Sequence, residues 1–249
     1  MKNDFKLIIS LLQNTRFKVT TMIIILLFFM SLGSIINNMT MINGIYSTLS
    51  WNFFIMVLLF LFIFNTYNIY IELVKNYSFL IRIKNYKEFF CKIIKFIFIS
   101  NLIIYLIVLF LVLVASILKT GMNTKIEILN NYNITNLTYL IFHIIRSYFI
   151  LNMIVIILVS LYKTIKEEIV VIISGIIPLS IVALTPLMKE RVIDSVFKLS
   201  LYYGDYFIGN SYTTFTFEVC MSILFISILF LIIKILIEIV SKKSIDLGF

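Results

Sequence analysis

Few residues in this chain could do chemistry, and they are widely spaced. His143 is the only histidine, and Arg146 follows it within an otherwise apolar stretch. Residues three apart share a helix face, so the two side chains project together. An arginine at the centre of a membrane span costs roughly 2.5–3.5 kcal/mol on insertion scales, which drives it to a bundle interior, to water or to the interface. Two readings follow: side chains that reach outward to headgroups, or polar groups lining a substrate path or a subunit interface. Glu218, near the start of the last apolar stretch, is a candidate counter-charge. Cys91 and Cys220 are the only thiols and read as free, so no disulfide framework is implied. A metal site needs several His, Cys, Asp or Glu to converge, and this inventory argues against one.

The common catalytic patterns are missing as well. No GxxxxGK[ST] loop is present to cradle phosphates, so nucleotide hydrolysis by that route is excluded. Glu167-Glu168 resembles the paired glutamates of CAAX-type membrane proteases. That family places an arginine four residues after the second glutamate and histidines on later spans. Here the position is Ile172 and no histidine follows. The pair reads instead as part of a short charged turn beside Lys163 and Lys166. The chain is not expected to be an enzyme.

Composition explains why so little chemistry is on offer. Of 249 residues, 61% are hydrophobic and 13% charged, and the mean hydropathy is +1.08. Soluble domains carry about 45–50% apolar and about 25% charged residues. Only a chain dissolved largely in lipid can expose so much apolar surface. Seven Gly and two Pro favour long helices over many short strands. The predicted fold class is all-α, a polytopic membrane protein forming one transmembrane domain across residues 1–249. About 20 residues cross the hydrocarbon once. The 53 uncharged residues between Lys18 and Glu72 are too many for one span, and the polar run from Asn37 through Gly44 to Ser50 is expected to split them as a turn. Spans are therefore expected near 19–36, 51–70, 96–118, 138–162, 169–188 and 216–240.

Charge then sets the orientation. The net charge of +9 is better explained by Lys and Arg held on the cytoplasmic side than by nucleic acid, and no nucleic-acid partner is expected. With the amino terminus inside, cytoplasmic segments carry fifteen Lys and Arg and outer segments five, Arg146 lying within a span. Both termini are then cytoplasmic. No cleavable signal peptide is expected: the amino terminus stays polar too long, and no small-residue cleavage site follows. The wealth of Ile, Asn and Lys suggests an AT-rich bacterial genome.

Several connections have character of their own. Residues 1–18 predict a helix lying in the interface, with Phe5, Ile8, Ile9 and Leu12 on one face. The 75–95 connection has an apolar stripe of Phe79, Ile83, Tyr86 and Phe90 alongside Arg82, Lys84, Lys87 and Lys92. It reads either as a helix held by anionic lipid or as a docking surface for a cytoplasmic partner. Gly175, Pro178 and Pro186 interrupt the fifth span, as a packing kink or as a hinge. Residues 189–212 read as short outer helices with tyrosines suited to an interfacial belt. Lys234 and Glu238, four apart near the end of the last span, read as structural.

An interfacial helix, six spans, inner termini, an enlarged basic loop after span two and short outer helices after a broken span five form a recognisable set. It resembles the ABC-2-type permease family, in particular the small permease subunits of bacteriocin and lantibiotic immunity or export systems of Gram-positive bacteria. The local stretch that carries the resemblance runs from Phe79 to Phe90 and looks like the family's cytoplasmic coupling element. The resemblance implies an ATPase-coupling role for Phe79, Arg82, Ile83, Lys84, Tyr86, Lys87, Glu88 and Phe90. It also implies cytoplasmic ABC ATPase subunits as partners, a homodimer or a heterodimer with a second permease, and no cofactor of the chain's own, ATP being bound by the partner. Two other classes stay open: a non-transporting accessory or immunity protein, and an ATP-independent carrier.

Overall fold

A computed structural model describes residues 16–35, 39–75, 86–129, 133–161 and 215–245. Six helices make up nearly all of it: α1 (Arg16–Ser34), α2 (Met41–Ser50), α3 (Asn52–Lys75), α4 (Tyr86–Thr120), α5 (Asn136–Leu161) and α6 (Phe215–Ile245). Two short antiparallel strands, β1 (Ile128–Leu129) and β2 (Ile134–Thr135), form a hairpin between α4 and α5. The fifth span and the outer helices expected at 169–188 and 189–212 lie outside the described residues, as do residues 1–15 of the interfacial helix expected at 1–18, whose last three residues open α1.

Local chemistry accounts for the boundaries. α4 runs 35 residues with no Gly or Pro inside it and carries Lys119 in its last turn, where a cation offsets the helix dipole. It stops at Gly121, whose φ of 68° is open to glycine without steric cost. Asn133 takes the hairpin turn at φ 54°, a conformation asparagine tolerates better than most residues. α5 begins at Asn136, whose backbone N–H donates to the Glu127 carbonyl while its side-chain oxygen accepts from Glu127 N.

α4, α5 and α6 are long and apolar enough to cross a membrane, through Phe90–Thr120, Asn136–Leu158 and Ser222–Ile239. Together with the large exposed apolar residues on their outer faces, among them Phe110, Phe230 and Leu231, they make this an all-α membrane-embedded protein. α2 and α3 could supply a fourth crossing as one bent pair, with 64° between Met41–Ser50 and Phe54–Tyr70.

Three sequence expectations change. The run 41–50 is a helix rather than a turn, capped by Thr40 Oγ1 accepting from Asn43 N, and the bend falls later, at Trp51. The apolar part of α1, Val19–Ser34, is about 24 Å long at 1.5 Å per residue, short of the roughly 30 Å hydrocarbon. Finally, the second half of the 75–95 connection is no loop: from Tyr86 onward it is the first part of α4.

The core has two parts. The larger joins α1–α5 through Leu27, Ile45, Phe54, Leu61, Tyr105 and Leu151; the smaller joins α3–α6 through Ile69, Ile97, Ile156 and Ile233. Side-chain pairings give the directions. Asn65 meets Asn101, Asn101 meets Asn152 and Tyr105 meets Ser147, so α3, α4 and α5 alternate in direction. Tyr139 meets Phe215, and further along both helices Met153 and Ile156 share a cluster with Leu229 and Ile233, so α5 and α6 are parallel. One end of the bundle therefore carries the hairpin and the starts of α5 and α6. The other carries Lys75, the start of α4 and the end of α6.

A buried polar core as the candidate functional site

His143 and Arg146 sit inside the bundle, 1% and 4% exposed. They do not reach outward to headgroups from this position. Arg146 Nη2 lies 3.3 Å from His143 Nδ1. A guanidinium only donates, so Nδ1 accepts and the neutral ring carries its hydrogen on Nε2. That Nε2 is buried without a hydrogen-bond partner among the described residues. The Leu49 backbone lies beside the ring without closing a hydrogen bond in good geometry. α2 covers the pair: Tyr46 meets the imidazole edge to face at 5.3 Å and Tyr139 at 5.6 Å. Arg146 also rests over the Phe142 ring, 5.4 Å from its centroid.

Deeper in the bundle a second polar group connects three helices. Asn65 Nδ2 donates to Ser100 Oγ at 2.9 Å and to Asn101 Oδ1 at 2.8 Å. Asn101 Nδ2 donates to Asn152 Oδ1 at 2.9 Å and reaches Thr66 Oγ1 at 3.4 Å. Asn152 Nδ2 closes the run on the Tyr148 carbonyl. The bonds run in one direction, from Asn65 through Asn101 to Asn152, an arrangement in which successive bonds polarise one another. Asn101 and Asn152 are fully buried. Between the two groups Tyr105 Oη bonds Ser147 Oγ and the Ile144 carbonyl, and Tyr148 Oη donates to the Phe98 carbonyl. Polar groups thus run along α5 from His143 to Asn152.

The hairpin end is stitched over this core. Asn43 Nδ2 donates to Glu127 Oε2, Asn136 Nδ2 to Asn43 Oδ1, and Met41 N to the Asn123 carbonyl. α2 is thereby tied to the loop that precedes α5. Among the described residues no three His, Cys, Asp or Glu form a group able to hold a metal ion.

No protein-family model matches this chain. No curated protein or solved structure matches it either. Its function must be argued from its own residues.

The remaining candidates are distributed as follows. Phe79, Arg82, Ile83 and Lys84, with Gly175, Pro178 and Pro186, lie outside the described residues. Tyr86 and Lys87 open α4. Glu88, in its first turn, pairs with Lys92 at 2.9 Å, the favourable order for an i, i+4 pair. Phe90 is 2% exposed and packs inward. Glu218 belongs to the first turn of α6, beside the part of α5 that holds Phe142, as the 5.2 Å contact of Phe142 with Phe215 shows. The asparagine run escaped the sequence reading, which followed charges. Its signal was there: asparagines inside three apolar helices, at 65, 101 and 152.

Proposed function

We propose that the chain is the membrane-spanning permease subunit of an ABC-2-type transporter. On this reading it sits in the plasma membrane of a Gram-positive bacterium and moves an amphipathic substrate, an antimicrobial peptide for export or self-immunity, with a separate ATPase subunit. The observation that carries the reading is α4. Its 35 residues span about 52 Å at 1.5 Å per residue, against roughly 30 Å of hydrocarbon, and one rigid helix runs from Tyr86 and Lys87, which close the basic segment, to Asn101 in the polar core. A partner pressing on that segment would displace the asparagine run and the helices it ties together. Coupling of this kind needs a two-state element and no catalytic residue in the permease.

Two features support the reading further. The parallel course of α5 and α6 calls for a return crossing between them, which the expected fifth span would supply. Phe90, being packed inward, would brace the start of α4, leaving contact with the ATPase to Arg82, Lys84, Lys87 and their neighbours. The mutually satisfied asparagine run favours a second reading, a static scaffold acting as an immunity or accessory protein.

Affinity purification from host membranes separates the two. An ATP-binding-cassette ATPase should co-purify, and Arg82→Glu with Lys87→Glu should abolish its association while membrane insertion persists. Unchanged association would remove the coupling assignment, and the lack of any ATPase would favour the scaffold.

A further inference from the structure

α2 is held between two sets of partners. Gly44 and Thr48, four residues apart, share one face. There Thr48 Oγ1 meets Ser34 Oγ of α1 at 2.7 Å, and a Cβ at Gly44 would lie 2.7 Å from Ser116 Oγ of α4. Tyr46 and Leu49, three apart, share another face. There the Tyr46 ring stands 5.3 Å from the His143 imidazole of α5, and the Leu49 backbone lies beside that imidazole. At 3.6 residues per turn the two faces point in nearly opposite directions. A displacement of α2 toward α5 is therefore a displacement away from α1 and α4.

The two sides are unequally satisfied. Thr48 reaches both Ser34 and the Gly44 carbonyl. On the other side the buried Nε2 of His143 has no hydrogen-bond partner among the described residues. Leu49 contributes one of the last four carbonyls of α2, for which that helix supplies no N–H. A donor removed from water without an acceptor costs free energy that a short movement of this carbonyl would recover. The chain has the joints for such a movement. Met41 N and Asn43 tie the start of α2 to the hairpin loop, while its other end meets α3 at a 64° bend at Trp51.

We infer that α2 is a two-position rocker, pivoting on the hairpin loop and hinged at Trp51, and that His143 is the catch of its second position. In the first position Thr48 meets Ser34 and Gly44 packs on Ser116, as in the structure. In the second, the last turn of α2 moves toward α5, His143 Nε2–H donates to the Leu49 carbonyl, and the Thr48–Ser34 contact opens. One hydrogen bond replaces another, so the two positions lie close in free energy. Trp51 leads directly into α3, so the swing alters the bend and is passed to Asn65, the first member of the buried asparagine run. Neither position requires an ATPase partner, and the device stands apart from the transport reading above.

His143 is the only histidine and Trp51 the only tryptophan, so the catch and the hinge each carry a native reporter. Nuclear magnetic resonance of the full-length protein in nanodiscs, with isotope-labelled histidine and tryptophan, reads His143 Nε2–H and the Trp51 indole. Ser34→Ala loosens the first position and should raise the ratio of second to first about fivefold, the scale of one hydrogen bond. The Nε2–H proton should then move downfield as it gains its acceptor, and the indole signal should shift with it. Gly44→Ala crowds the α4 side and should shift both signals the same way. His143→Phe removes the catch, so adding Ser34→Ala to it should leave the indole signal where it was. Should His143→Phe fail to fold, Ser34→Ala still decides. An Nε2–H signal indifferent to Ser34→Ala, an upfield shift in either variant, or an indole response to Ser34→Ala that survives His143→Phe would each overturn the assignment.

Discussion

Arg146 donates to Nδ1 of His143 across one turn of α5, at 3.3 Å and out of reach of solvent. That contact fixes the tautomer and leaves Nε2–H as a buried donor without a partner among the described residues. A buried polar group left unpaired costs about 1–3 kcal/mol, so the pair is poorly explained by stability alone. His143→Phe retains a ring against Tyr46 but removes the Nδ1 acceptor that faces Arg146 Nη2, and should lower thermal stability in detergent by about 1–3 kcal/mol. The double variant His143→Phe with Arg146→Met should recover most of that loss, since apolar replacements of buried polar pairs are often neutral or stabilising. On the proposed transport or immunity reading, that activity should nevertheless be lost. A double variant less stable than His143→Phe alone would show that Arg146 supports the fold.

The asparagine run makes the opposite prediction. Every link in it is satisfied, and it bridges three helices where no water competes. Interhelical hydrogen bonds in membranes average about 0.6 kcal/mol each, so no single link is decisive. Asn101 is the exception because it stands at the centre, accepting from Asn65 and donating to Asn152. Asn101→Ala should destabilise the bundle by about 1–3 kcal/mol, leaving a buried donor and a buried acceptor unpaired. Ser100→Ala should cost less, because Asn65 keeps its bond to Asn101. Equal losses for the two variants in a denaturant titration would argue against a directional chain.

Close approach of helices gives a third prediction. A Cβ at Gly44 would lie 2.7 Å from Ser116 Oγ and 3.2 Å from Ile35 Cγ2. Ser116 cannot simply rotate away, because its hydroxyl donates to the Met41 carbonyl at 2.9 Å. Gly44→Ala improves helix propensity by roughly 1 kcal/mol yet overpacks the contact by about 1–3 kcal/mol, so a net loss is expected. Introducing it into Ser116→Ala should cost clearly less, a coupling of at least about 0.5 kcal/mol in a double-mutant cycle. Additive effects would place the strain elsewhere.

The same contact shows where reading the sequence stopped. Uncharged stretches located α4, α5 and α6, because lipid solvation demands continuous apolar runs, and the i, i+3 spacing of His143 and Arg146 put them on one face. α2 was hidden because Asn43, Gly44, Ser47 and Thr48 are turn-formers in water. Inside a membrane bundle small and polar residues are what allow helices to approach, and Gly44 against Ser116 is that case. Burial of Arg146 was not legible for a different reason: an arginine ten residues from the start of its helix can extend outward or turn inward, and only the neighbouring helices decide. Here α2 folds over the neighbouring His143 through Tyr46, a long-range contact no local pattern encodes.

Orientation rests on charge counting, and the two native cysteines can test it without added reporters. Cys91 and Cys220 are both exposed. Cys91 lies near the start of α4 and Cys220 near the start of α6, so they mark opposite ends of the bundle. Fifteen basic residues against five lead us to expect the Cys91 end in the cytoplasm. In intact cells a membrane-impermeant maleimide should therefore modify the Cys91→Ser variant through Cys220 and leave the Cys220→Ser variant unlabelled until the cells are opened. The reverse pattern would place Arg82–Lys87 outside, where no ATP-driven partner could press on α4, and the transporter reading would fall with it.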